Sequence, residues 1–495
     1  MPEEQVITLG VPPASLPALL EHPLFAGARS APRRTRAVWF DTAERELLRR
    51  GITLCVIGSG NRRVAHVAAP GAHPRSAAWH GAFDFSGVDK SALRTRLERA
   101  RRAGLAPVIE AAATVRRWPL RLADGRTVTA ELAEGELSAG GSAVPLCVLR
   151  LRRGAADTGC PFAAAQRLCT DLPLEIEPAT VPDRAIAIAL ERDRKPVKSR
   201  PSALRETDTL AQALRGIVDA CVAQFRLNER AGLEAEDPEY VHQMRVAIRR
   251  LRSAVRAFAP VLAPDFADRF LPGLRALAGA LGPARDWDVL HDELVLPVVR
   301  AHPEDARLSA LAAEVARRRE AARAGCRTAL REGAHRLLLV DLLAHVHCEW
   351  PDASPEPAAP LPDLGEFAVA RLDALFRRVL KAARRAHADD IPALHRLRIM
   401  IKRLRYAIEF FAPLFPAKSQ RRFLARMAQL QEDLGLLNDL ANARPKLAQC
   451  AQETPAVAEG VAYAEGWYAP KLAEMLERLP AEVRTLSRLR PYWRR

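Results

Sequence analysis

Two stretches with nearly the same pattern decide the fold of the second half of the chain. Val241–Phe258 is VHQMRVAIRRLRSAVRAF, and Leu394–Phe411 is LHRLRIMIKRLRYAIEFF. A constant offset of 153 residues separates them, and the same offset pairs Asp286 with Asp439 further along. A register that holds over about 45 residues indicates an internal duplication.

Each stretch places basic residues on one side of a predicted helix. At about 100° per residue, five positions share an arc of roughly 80°. In the first copy these positions hold His242, Arg245, Arg249, Arg252 and Arg256. In the second copy they hold His395, Arg398, Lys402, Arg405 and Glu409. Arg250 and Arg403 lie off the arc and, with Arg256, are further candidates for contacts with an anion.

The stacking of like charges has two interpretations. A solvated helix face is the simpler one, but such a face normally mixes opposite charges three or four positions apart. Like charges cost stability unless an anion neutralises them, and Arg can bind phosphate bidentately. The histidines could hydrogen-bond to the core or, when protonated, donate to phosphate. Asp286 and Asp439 are predicted to hold arginines in place.

The composition of the whole chain supports a polyanionic partner. Lys and Arg outnumber Asp and Glu by 75 to 59, giving a net charge of +16. This surplus favours nucleic acid, an anionic membrane or polyphosphate, without choosing among them. Aromatic residues make up 5%, and no base-stacking platform interleaves with the arginines, which speaks against nucleic acid. Leu337–Leu343, the most apolar run, is much shorter than the ~20 residues of a membrane span.

The cysteines and the first residues favour a cytoplasmic protein. The eight cysteines are scattered and form no CxxC pair, which predicts neither a zinc site nor a disulfide framework. The opening MPEEQVITLG lacks the pattern of a signal peptide.

The chain is predicted to be multidomain, with α+β structure followed by helices. Short β-type runs and Gly-rich turns in residues 1–194 predict an antiparallel sheet that could close into a barrel. The runs are Gln5–Leu9, Ala37–Phe40, Thr53–Ile57, Arg63–Ala68, Thr127–Glu131 and Val144–Leu151. The remaining predicted parts are a linker at 195–202, a first helical copy at 203–350, a Pro-rich linker at 351–362 and a second copy at 363–490.

The repeated segments resemble the paired motifs of the CHAD domain, the conserved histidine α-helical domain. LGPARDWDVL and LGLLNDLANA resemble its second motif, so the resemblance covers roughly residues 203–490. It implies two four-helix bundles around a basic central channel, binding of inorganic polyphosphate, and recruitment to polyphosphate granules. Carried over residue by residue, the anion contacts are His242, Arg245, Arg249, Arg252, His395, Arg398, Lys402 and Arg405.

Residues 1–195 resemble, in outline, a CYTH domain, a triphosphate tunnel fold that often precedes a CHAD domain. TRAVWFDTAERELLRRGITL and PATVPDRAIAIAL carry this resemblance. The metal-binding chemistry is largely missing, because the expected Glu-x-Glu-x-Lys is replaced by adjacent Glu3 and Glu4, and a late Glu-x-Glu reads Val148-Leu149-Arg150. Hard cations need oxygen ligands, so a degenerate domain without metal or catalysis is predicted.

The sequence therefore leaves three functions open. The main hypothesis is a non-catalytic polyphosphate-binding protein that needs no cofactor. The first alternative is a metal-dependent triphosphatase or polyphosphatase that uses the remaining carboxylates of the first domain, which are Glu131, Glu134, Glu136, Glu175 and Glu177. The second alternative is a non-specific nucleic-acid-binding protein.

Overall fold

The computed structural model has two compact units. It describes residues 5–59, 62–69, 75–88, 91–154, 157–181, 183–184, 195–349, 361–387 and 390–494. The first unit contains Met1–Lys195 and Leu339–Cys348, and the second contains Pro196–Leu338 and Glu349–Arg495. Glu3, Glu4 and positions 351–360 of the predicted Pro-rich linker lie outside the described residues.

The first unit is built on an antiparallel sheet, which confirms the predicted fold class. In the described residues its strands are β1 Val6–Gly10, β2 Arg33–Asp41, β3 Thr53–Ser59, β4 Arg62–Ala68, β5 Arg75–Ala78, β6 Ala106–Arg121, β7 Thr127–Ala139, β8 Ser142–Arg152 and β9 Glu175–Ile176. Their order is β5-β4-β3-β2-β6-β7-β8-β1-β9, and each neighbouring pair is antiparallel. The order ends at β5 and β9, so the described strands form an open sheet.

Helices of the first unit pack on this sheet. They are α1 Leu16–Leu20, α2 Glu46–Arg49, α3 Ser91–Arg102 and α4 Pro161–Asp171. The apolar face of α3 buries Leu97 and Ala100 in a cluster that includes Leu54 of β3 and Phe85. Strands such as β1 alternate between buried and half-buried residues, as expected for a sheet with one covered face.

A disulfide joins Cys160, at the start of α4, to Cys348. Their Cα atoms are 5.7 Å apart, and Phe162 stacks on His347 beside the bond. The expectation that the cysteines form no disulfide is therefore wrong for this pair. The two residues are 188 positions apart, and only the tertiary fold brings them together. The segment Leu339–Cys348 belongs to the first unit and not, as predicted, to the first helical copy.

The second unit consists of helices whose boundaries follow the repeat. The first half has α5 Leu210–Gly232, α6 Glu239–Phe258, α7 Phe266–Ala280, α8 Gly282–Val289, α9 Leu296–Ala301 and α10 Ala306–Glu332. Helix α11 Ala334–Ala344 comes next, and its residues from Leu339 onward belong to the first unit. The second half has α12 Leu364–Ala383, α13 Ile391–Phe410, α14 Ala417–Glu453 and α15 Ala458–Ser487. With the offset of 153 residues, α5, α6 and α10 match α12, α13 and α15, whereas α14 matches α7 and α8 together.

The two halves of the second unit share a hydrophobic core. Trp287 of α8 and Leu311 of α10 belong to the same buried cluster as Leu447 of α14 and Val461 of α15. Helices α6 and α13 also contact each other. The duplicated helices therefore build one compact body, in which corresponding faces of the two copies lie close together.

Close packing of β6 against β7 gives a test of the first unit. A Cβ at Gly135 would lie 2.0 Å from the backbone oxygen of Ala112 and 2.7 Å from Ala113 Cα. We expect Gly135→Ala to lower the free energy of unfolding by about 2–4 kcal/mol, because backbone atoms must move. Denaturation in urea, followed by tryptophan fluorescence, measures this change.

Gly10→Ala is the matched control for this substitution. An added Cβ at Gly10 meets its nearest neighbour, the backbone oxygen of Glu175, at 3.8 Å, an ordinary contact distance. We expect a much smaller effect there, and equal destabilisation by the two variants would contradict the close-approach argument.

Candidate anion-binding site

Buried apolar residues fix the orientation of the two repeated helices. Met244, Ile248 and Leu251 of α6 are fully buried. The equivalent residues of α13 are Leu397, Ile401 and Leu404, with at most 1% exposure. Spacings of three and four residues make these side chains one stripe. The predicted basic residues lie between these positions and are half-buried, except for buried Arg250 and exposed His395.

Arg245 and Arg398 occupy equivalent positions, each beside the aspartate predicted to support it. Arg245 Nη2 lies 3.8 Å from Asp286 Oδ1, and Arg398 Nη2 lies 4.0 Å from Asp439 Oδ1. Burial lowers the pKa of both arginines, and the aspartates oppose this effect. An added Cβ at Gly282 would lie 3.1 Å from Arg245 Nη1, so the glycine leaves room for the guanidinium.

Lys402 lies where charges from both helices meet. Burial is the main cause that lowers its pKa to about 7, and the second cause is the charge of neighbouring arginines. Those arginines are Arg398 and Arg405 of α13 and Arg249 of α6, while Asp439 of α14 acts in the opposite direction. A lysine that loses its charge near neutral pH indicates an environment with too much positive charge for its solvation.

The two histidines of the motif have different surroundings. Burial, followed by the charge of Arg285, lowers the pKa of His242 to about 4, so this ring is neutral at pH 7. His395 is exposed, and its Nδ1 lies 2.8 Å from Asn438 Oδ1. Arg285 and Asn438 occupy equivalent repeat positions. The two copies therefore differ at this end of the basic face.

The arginines at the other end of the basic face have different surroundings. Arg250 is buried, its Nη1 donates to Glu409 Oε2 at 2.8 Å, and its guanidinium lies over the ring of Phe410. Glu409 also pairs with Arg405 at 3.2 Å. We therefore assign Arg250 to the packing of α6 against α13 and leave it out of the anion site. By contrast, burial and, to a smaller extent, the charge of nearby arginines together lower the pKa of Arg256 to about 10.

Several buried guanidinium nitrogens of this face lack hydrogen-bond partners. In the described part of the chain, the Nε atoms of Arg249, Arg252 and Arg398 are buried and donate to no partner. Buried polar groups in folded proteins are nearly always hydrogen-bonded. An array of desolvated, like-charged guanidiniums is the expected property of a surface that binds an anion.

Sequence comparison of the two copies missed two basic residues near the site. Arg285 directly precedes Asp286 and influences both His242 and Arg245 through its charge. Lys446 Nζ lies 3.8 Å from Asp286 Oδ2 and brings a cation from the second half to the first copy. The repeat could not indicate them, because neither position is basic in the other copy. For Arg285, its place inside the second motif was a usable signal.

Two of the candidate carboxylates of the first unit, Glu131 and Glu134, pair with arginines. Glu131 Oε2 lies 2.5 Å from Arg117 Nε, and Glu134 Oε2 lies 3.3 Å from Arg116 Nη1. Among the described residues, no group of three or more His, Cys, Asp or Glu side chains could hold a metal ion. None of the described helices combines the length and apolar character that crossing a membrane requires.

The helical fold and its duplicated basic face define an all-α class of domain, and comparisons identify its family. The sequence profile of the CHAD domain matches residues 216–448. The crystal structure of the CHAD domain from the plant Ricinus communis is 34% identical, with a TM-score of 0.52. The match covers 60% of this chain and 98% of that one. The chain therefore carries a CHAD domain, as the motifs predicted.

Other similar proteins are more distant or only partly covered. PptA from Streptomyces chartreusis is 22% identical over 57% of this chain and all of that chain, and its TM-score of 0.44 is too low to support an inference. Two uncharacterized proteins of Mycobacterium tuberculosis are 32% identical over 219 residues. That match covers 40% of this chain and spans 38% of their length. The CYTH resemblance of the first unit stays a prediction, with which the antiparallel sheet is compatible.

We expect Lys402 to make binding of a polyanion to this face dependent on pH. A bound anion restores the positive charge of Lys402 and raises its pKa above 7, so binding takes up a proton at higher pH. The affinity for the polyanion is therefore highest below pH 7, where Lys402 is charged before the anion binds, and it falls as the pH rises through 7. Between pH 6.5 and 8.5 we expect a loss of about tenfold in affinity for polyphosphate, measured by titration calorimetry.

Lys402→Arg serves as the control, because an arginine stays charged over this range. We expect its affinity to change little between the two pH values. An equal pH dependence in this variant and the wild type would show that another group is responsible.

Proposed function

We propose that this protein binds inorganic polyphosphate without hydrolysing it. One observation carries the proposal: α6 and α13 bring half-buried cations from both copies together without enough acidic partners to neutralise them. Lys402, beside Arg249 and Arg398, shows the energetic consequence most clearly. A linear chain of phosphates supplies repeated negative charge along such a row, and the arginine fork is suited to phosphate oxygens.

The site favours polyphosphate over nucleic acid. Single-stranded nucleic acids bind through a basic groove together with aromatic rings that stack on the bases. Beside these arginines, Tyr406 and Phe410 are buried in the core and offer no such platform. The CHAD resemblance implies the same ligand, and we propose a cytoplasmic location at polyphosphate granules.

A non-catalytic role fits both units. The CHAD domain is not a known catalytic domain. In the first unit, Glu131 and Glu134 pair with arginines and are poorly placed to share a metal ion. Metal-assisted attack on a phosphate needs carboxylates that are free to bind the cation.

The double variant Arg245→Ala and Arg398→Ala tests the binding proposal. Each arginine contributes a charge-assisted contact, so we expect an affinity loss of about 100-fold for long-chain polyphosphate. Wild-type protein should bind polyphosphate much more tightly than DNA of equal phosphate content at the same salt concentration. Fluorescence anisotropy with labelled ligands measures both quantities.

Arg300→Ala with Arg331→Ala is the matched control, since it removes the same charge from exposed positions of α9 and α10. Equal losses of affinity in the two double variants would mean that net charge alone, and not the position of Arg245 and Arg398, causes the effect. Unchanged affinity in the Arg245 and Arg398 variant, or equal binding of DNA by the wild type, would reject the proposed site.

Incubation with tripolyphosphate and Mg²⁺ or Mn²⁺ tests the absence of catalysis. We expect no phosphate release above a protein-free control, measured by a colorimetric phosphate assay. Metal-dependent release that is lost in Glu131→Gln or Glu134→Gln would instead support a triphosphatase in the first unit.

A further inference from the structure

We propose that the polyphosphate path continues beyond the repeated motif onto a second group of arginines, which makes the site selective for long chains. This inference rests on the proposed function and extends it. We call this group the distal cluster; among the described residues it comprises Arg252 and Arg256 of α6, Arg275 of α7, Arg371 and Arg378 of α12, and Arg403 of α13.

Direct contacts join members of the distal cluster from different helices. Arg371 Nη2 of α12 donates to the backbone oxygen of Arg256 in α6 at 3.4 Å. Arg256 Nη1 donates to the backbone oxygen of Arg252 at 3.1 Å. These guanidiniums thus use neutral carbonyl groups as partners, and their positive charges remain uncompensated.

The distal cluster is electrostatically crowded. Burial lowers the pKa of Arg252, Arg256, Arg371 and Arg403. The remaining causes are neighbouring guanidiniums: Arg275 acts on Arg252 and Arg256, and Arg378 acts on Arg371 and Arg403. Within the described part of the chain, no carboxylate forms an ion pair with any member, and the buried Nε atoms of Arg252 and Arg371 have no partner.

Three members of the distal cluster, Arg275, Arg371 and Arg378, have no basic counterpart in the other copy. Positions equivalent to Arg275, Arg371 and Arg378 in the other copy hold Ala428, Val218 and Phe225. The symmetric motif therefore does not account for these three arginines. They extend the basic surface on one side, with contributions from both halves of the second unit.

The cluster continues the motif along one helix. Arg252 follows Arg249 by three residues, which is close to one turn of α6. From His242 to Arg256 the helix rises about 21 Å, at about 1.5 Å per residue. Tripolyphosphate can occupy only part of this path, whereas a long chain can contact the motif and the distal cluster at once. Simultaneous contacts multiply affinity, so the cluster should favour long chains.

The variant Arg275→Gln with Arg378→Gln tests the inference. Both residues are exposed, so the substitutions should leave the fold intact. We expect affinity for long-chain polyphosphate to fall about tenfold more than affinity for tripolyphosphate, with a shallower salt dependence for the long chain. Arg275→Lys with Arg378→Lys, which keeps both charges, should restore most of the affinity.

Arg300→Gln with Arg331→Gln again controls for net charge and should leave the ratio of the two affinities unchanged. An equal loss for both ligands in the Arg275 and Arg378 variant, or no loss for either, would overturn the inference. If wild-type protein fails to bind long-chain polyphosphate, the proposed function itself is wrong. If the wild type binds and only the chain-length ratio is insensitive, the motif is the whole site.

Discussion

Mutual repulsion among cations on two packed helices is the constraint on which the second unit depends. Lys402 and Arg249 come from different copies, and the charge of Arg249 helps to lower the pKa of Lys402 in a half-buried setting. Such an arrangement persists only when surrounding packing holds it in place. The fully buried Leu251 and Leu404 provide that packing. Arg250 adds a link between the helices through Glu409, which is acidic where the first copy has Arg256.

Sequence differences between the two copies make the two ends of the proposed site unlike each other. The repeat predicts equal ends, yet His242 is buried beside Arg285 while His395 is exposed beside Asn438. At the far end, Arg256 forms no ion pair within the described residues, whereas Glu409 pairs with Arg250 and Arg405. A symmetric ligand site would need matched surroundings at both helices. These differences are compatible with a polyphosphate chain that lies along one helix and continues past the other.

Sequence reasoning succeeded where periodicity and repetition carry the information. The offset located α6, α13 and their basic faces, because helix geometry converts spacing directly into direction. It failed for β6, whose alanine-rich sequence with Pro119 does not resemble a strand. The structure tolerates Pro119 because β6 pairs with β2 only up to Val115, beyond which the proline needs no partner on that side. The Cys160–Cys348 disulfide and Lys446 depend on tertiary proximity, which spacing does not encode.

The net charge of +16 has to be interpreted together with which arginines pair with acidic residues. In the first unit, arginines lie beside acids: Arg36 contacts Glu110, and Arg117 contacts Glu131. Arginines of this kind add to the count of positive residues but generate little field of their own. In the second unit, the arginines of α6 and α13 are instead crowded together and desolvated. Half-buried cations crowded on two packed helices are stronger support for a defined site than net charge is, and they support the site proposed for the second unit.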